Sequence, residues 1–142
     1  MRNLLLTTLF LFGGLLTMNA QYSIVGKWKT TDDKTGDAKA IVEIKESKGR
    51  YTGKIISIFD PEKKDATCEN CPGQEAVKKY VGLTILKNMV KDGDEYTGGT
   101  IMDPESGIEY KCTLKLVGYS KLEVKGSVSI LLLGKSQTWT KQ

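Results

Sequence analysis

The chain contains no histidine. That one absence removes Ser-His-Asp and Cys-His catalysis, His-ligated zinc and a charge switch near neutral pH. Nor is there a dense block of Lys and Arg with interleaved aromatics, so a nucleic-acid surface is not expected. No cysteine precedes Cys68, which excludes lipid attachment at the start of a processed chain in the manner of bacterial lipoproteins. The longest apolar run, Leu4 to Leu16, has thirteen residues and is too short to span a bilayer as a helix.

That run has a different use. Arg2 gives a positive start, the apolar stretch follows, and Thr17, Asn19 and Ala20 provide a small, polar exit. This is the layout of a secretory signal peptide, with cleavage expected between Ala20 and Gln21. Residues 1–20 are therefore read as a leader and 21–142 as the mature domain, exported to the periplasm or the medium. The 122 residues left suit one domain with one core. The leader holds one base and no acid, so the formal charge falls from +4 to +3.

From Ile24 onward apolar residues recur with period two and are interrupted by Gly, Asp, Asn and Pro. Ile108, Tyr110, Cys112, Leu114 and Leu116 fall on one face, with Glu109, Lys111, Thr113 and Lys115 on the other. Leu122, Val124, Gly126 and Val128 repeat the pattern, as do Ala40, Val42 and Ile44. One wet face and one buried face describe antiparallel strands. The linkers are hairpin-sized: Asp33-Lys34-Thr35-Gly36, Ser47-Lys48-Gly49, Asp92-Gly93, Asp103-Pro104-Glu105-Ser106-Gly107 and Gly118-Tyr119. The expected fold is all-β: a single antiparallel up-and-down barrel of about eight strands, near 24–31, 38–46, 50–59, 82–90, 95–102, 108–117, 120–128 and 136–141. Closure removes the exposed edges. Tyr51-Thr52-Gly53 and Tyr96-Thr97-Gly98 open two strands alike, and each glycine predicts a bend or bulge. One long connection, from Asp60 to about Val81, separates strands three and four, with a short helix expected around Gln74 to Tyr80.

Gly26-Lys27-Trp28 on the first strand, followed by a meander, resembles the opening of lipocalin-type and avidin-type barrels. The resemblance implies that Trp28 closes one barrel end against a basic residue near the last strand, with Trp139 and Lys141 at that far end. More narrowly, the mature chain resembles an uncharacterised family of exported bacterial proteins, a domain of unknown function. The matching stretches include Val25-Gly26-Lys27-Trp28-Lys29-Thr30, Tyr51-Thr52-Gly53-Lys54-Ile55, Gly99-Thr100-Ile101-Met102-Asp103-Pro104 and Leu133-Gly134-Lys135-Ser136-Gln137-Thr138-Trp139. Lys125, Lys135 and Lys141 stand where that family commonly has Arg. The resemblance implies a lipocalin-like barrel and an envelope location, and it carries over no catalytic residue.

Candidate sites follow from this frame. Three cysteines in an exported chain permit a Cys68–Cys71 disulfide or a bridge from either to Cys112. Thiol redox chemistry at Cys68-Glu69-Asn70-Cys71 lacks its usual βαβ setting, and a three-thiolate metal site has only one Cys-x-x-Cys behind it. Asp32, Asp33 and Asp37 lack the spacing and closing Glu of a calcium loop. No catalytic residue, metal or cofactor is therefore expected. The barrel interior remains, with Trp28, Ile44, Ile55, Met102, Tyr110, Leu114, Val124 and Trp139 as the ligand-facing candidates and a small apolar or lipid-like molecule as the expected partner. The rival reading is a filled core serving a structural or protein-interaction module. Ile130-Leu131-Leu132-Leu133 reads as buried strand or as an apolar rim.

Overall fold

The computed structural model describes residues 22–127 and 135–142. Its strands are β1 (Gly26–Thr31), β2 (Ala38–Ser47), β3 (Arg50–Ile58), β4 (Thr84–Asp92), β5 (Glu95–Met102), β6 (Glu109–Val117), β7 (Lys121–Ser127) and β8 (Lys135–Lys141). Each pairs antiparallel with the next, and β1 pairs with β8 to close an eight-stranded barrel. The expected fold is the observed one.

Closure is narrow. Only Trp28 with Lys141 and Lys29 with Thr140 pair across the β1–β8 seam, extended by the Gln142 N–H donating to the Lys27 carbonyl (3.0 Å). Trp28 is fully buried beside this seam. Its indole N–H donates to the Ile24 carbonyl at 2.8 Å, so the segment before β1 is drawn over the barrel end with Ile24 buried. Lys141 Nζ lies 5.4 Å from the Trp28 ring centroid, a cation–π distance. Lys141 is thus the basic residue the resemblance implied, whereas Trp139 lies on the wall of the opposite half.

The two Tyr-Thr-Gly stretches sit at pairing irregularities. Register shifts fall between Tyr51 and Gly53 and between Tyr96 and Gly99. The two tyrosines meet edge to face at 4.9 Å. The glycines have two causes: a Cβ on Gly53 would come within 2.9 Å of Leu86 Cβ and one on Gly99, next to the second stretch, would overlap the Lys87 carbonyl oxygen, whereas Gly98 has open space and takes a positive φ of 80°. Opposite these sites, Asn88 takes a positive φ of 57°, the conformation in which an extra residue is absorbed.

Two local expectations are corrected. Ile108 is 46% exposed, because it closes the 103–108 turn through the Asp103 N–H to Ile108 carbonyl bond and precedes the pleat of β6. The helix expected around Gln74 to Tyr80 is a 3-10 turn over Gly73–Val77. It ends as Lys78 turns extended and Thr67 bridges Lys79. Of the cysteine pairings left open, Cys68–Cys71 is the one formed, and Cys112 is free and buried. Val128 and the Ile130 to Leu133 run lie outside the described residues.

Gly99→Ala is expected to cost about 2–4 kcal/mol, since the clash is with backbone that cannot rotate away. Urea unfolding of parent and variant measures it, and a loss below about 0.5 kcal/mol would contradict the packing described.

Candidate functional site: a cavity in the barrel

Along the barrel axis the interior divides in two. Trp28, Ile44, Met89, Leu114 and Leu122 are fully buried and fill the half under the Ile24 segment. Towards the other end lies a cavity of about 660 Å³, within the size range of small-molecule sites. Its mouth is framed by the β1–β2 turn, the start of the long connection and the β5–β6 turn.

Five of the eight interior candidates, Ile55, Met102, Tyr110, Val124 and Trp139, line this cavity. Trp28, Ile44 and Leu114 do not; they lie on the stretches of β1, β2 and β6 nearer the closed end, where side chains meet across the barrel. Tyr80 and Gln137 also line the cavity, and neither was singled out in the sequence. Gln137 had a usable signal, because it stands two residues before Trp139 and so shares its face. Tyr80 had none, since its place depends on how the long connection folds back.

Polar groups are sparse but ordered. Trp139 Nε1 donates to Gln137 Oε1 at 3.0 Å, and Gln137 Nε2 donates to Asp33 Oδ2 at 3.1 Å. The buried indole is thus satisfied, and its ring is held in one orientation. Gly126 lets Tyr110 lie close: a Cβ there would come within 3.0 Å of the tyrosine Cβ.

The β5–β6 turn ties the mouth together. Glu105 Oε1 accepts from Lys39 on β2 at 3.0 Å and from Lys63 on the long connection at 3.5 Å. The hydrogen bond from Lys39 holds the Glu105 carboxyl below its ordinary value. Burial opposes the Lys39 charge, but the bond and charge of Glu105 outweigh it and raise the lysine overall. The same turn carries the cysteine loop. Asn70 Nδ2 donates to the Glu105 carbonyl at 2.7 Å, and Cys68 Sγ stands 3.3 Å from the Pro104 carbonyl. Gly107 is required beneath it, since a Cβ would overlap the Asn70 carbonyl.

The bridge itself, with Cα atoms 5.3 Å apart, is buried: Cys68 is 0% and Cys71 5% exposed. Disulfide exchange requires a sulfur that a thiolate can reach, so this geometry favours a staple over redox work. Cys112 is buried in apolar surroundings, which pushes its thiol up to about 12. Among the described residues no cluster of three or more potential metal ligands occurs, and no helix is long and apolar enough to cross a membrane.

Two outcomes follow. A thiol reagent near neutral pH should find no reactive cysteine in the folded protein, one after unfolding and three after unfolding with reduction; a reactive thiol in the native protein would contradict the burial. The Glu105 pair predicts a pH dependence. A carboxyl depressed in the fold contributes stability that is present above its unfolded value and fades as pH falls. Glu105→Gln should therefore lower stability near neutral pH by under about 1 kcal/mol, as expected for a half-exposed pair. The gap from the parent should close on acidification through the usual carboxylate range, followed by urea titration at several pH values.

Residues 26–141 match the family of uncharacterised proteins conserved in bacteria, DUF2147. Among solved structures, protein HP1028 from Helicobacter pylori, described as belonging to the lipocalin family, superposes with a TM-score of 0.75 at 21% sequence identity. The match covers 86% of this chain and 84% of that one, and it shows a shared lipocalin-like fold. No curated protein matches. With its family pattern spanning the whole barrel, from the first strand to the last, this chain belongs to the DUF2147 family.

Proposed function

We propose that this protein is an exported binding protein of the cell envelope that holds a small apolar or lipid-like molecule in the cavity of its barrel. The observation that carries the reading is the cavity of about 660 Å³ whose wall includes Ile55, Met102, Tyr110, Val124 and Trp139. Apolar burial at about 25 cal/mol per Å² supplies the attraction, and a few placed polar groups orient the guest. Export is supported by the leader pattern of residues 1–20 and by the Cys68–Cys71 bridge, which suits an oxidising compartment.

The rival is a protein-interaction module that uses the long connection. Val77, 79% exposed on that connection, favours it. Native mass spectrometry of protein purified without reductant from an exporting host separates the two. The expected result is an extra mass that is lost on denaturation, with the polypeptide beginning at Gln21. Val124→Phe, which extends a ring into the cavity, should remove that mass and leave the thermal midpoint within a few degrees. A bare polypeptide that also fails to take up apolar dyes would favour the interaction module.

A further inference from the structure

The cavity wall is largely apolar, but its mouth carries a net negative charge. Six carboxylates and four lysines line the cavity, a net of −2, on a chain whose formal charge is +4. Ion pairing occupies the cations first. Glu105 holds both Lys39 and Lys63, and Lys135 Nζ lies 3.9 Å from Asp103 Oδ2. Asp32, Asp33, Asp37 and Asp60 remain, with Lys34 as the only other base lining the cavity among the described residues. None of these four acids is in an ion pair with a described residue. Residues 128–134 contain no charged side chain, so they do not alter this balance.

One of these carboxylates is tied to the wall. Asp33 Oδ2 accepts from Gln137, which in turn accepts from the indole of Trp139. A carboxylate is therefore held one amide away from a buried aromatic ring, in a cavity that Tyr80 and Tyr110 also line. An ammonium group is attracted both by a carboxylate and by the face of an aromatic ring, and more strongly where water is partly excluded. A carboxylate head placed there would meet repulsion from the unpaired acids.

We propose that the cavity selects amphiphiles with a cationic head, an alkyl- or arylammonium, whose apolar tail lies among Ile55, Met102 and Val124 and whose head lies at the mouth beside Asp33. The inference rests on the reading of the cavity as a binding site and adds the charge of its ligand. Fatty-acid anions of the same length are the disfavoured class.

Three probes with one tail and different heads test it: decylammonium, decanol and decanoate, each below its aggregation concentration, near neutral pH and at low salt. Tryptophan fluorescence and titration calorimetry on the purified exported protein follow binding. Decylammonium should bind about tenfold tighter than decanoate, with decanol between them. Asp33→Asn keeps an oxygen for Gln137 and removes the charge. It should weaken decylammonium about three- to tenfold and leave decanol unchanged. Decanoate binding as tightly as decylammonium, or no effect of Asp33→Asn on decylammonium, overturns the cationic preference while decanol binding keeps the cavity reading. Binding by none of the three overturns the cavity reading and this inference with it.

Discussion

The architecture depends on Trp28 at the seam where the barrel closes. A sheet of eight strands loses its edges only if the first and last strands meet, and here they share just two paired positions. So short a seam gains from being packed on from inside. Trp28 does this with the largest side chain available, while its indole N–H needs a partner because it is buried. The Ile24 carbonyl is that partner. The bond fixes the segment before β1 across the barrel end, and the Lys141 ammonium lies beside the same ring. Satisfying one buried donor thus closes one end of the barrel.

The other end is organised by different means. No comparable plug covers it among the described residues; its turns are held to each other instead of to a core. The β5–β6 turn gathers Lys39 from β2, Lys63 from the long connection and the cysteine loop through Asn70. Surface ion pairs contribute little singly, so rigidity at the mouth must come from the turn geometry and the buried disulfide more than from the lysines. A disulfide restricts the unfolded chain. One that spans three residues restricts it only slightly, and the larger effect of this bridge is local: it shapes the loop so that Asn70 fits against Gly107.

Much of the fold was legible because alternation and turn chemistry report on the same strands. Observed strand bounds fall within two residues of those read from period two and from the Gly, Asp and Pro turns, and the paired Tyr-Thr-Gly stretches mark real register shifts. Which inward residues meet open space was not legible. Ile44 and Ile55 look alike in sequence, both apolar and both facing inward, yet one is packed under the closed end and the other lines the cavity. Their difference is position along the barrel axis, and alternation carries no information about that axis. Ile108 fits the alternation but lies in a turn whose backbone bonds take precedence over its side chain. The choice of Cys68–Cys71 over a bridge to Cys112 likewise needed the third dimension, since compartment arguments weigh all three pairings alike.

These features together limit what the cavity can do. In the described structure burial pushes the Cys112 thiol up to about 12, and the other two sulfurs are joined to each other. Asp32, Asp60 and Asp103 accept backbone N–H bonds in their turns, and Glu105 is shared by two lysines. Those N–H bonds and ion pairs fix where each carboxylate stands around the mouth. What such groups retain is their charge. Under the proposed binding reading, an apolar wall with fixed charge at its mouth would sort guests by shape and by the sign of the head that comes to rest there.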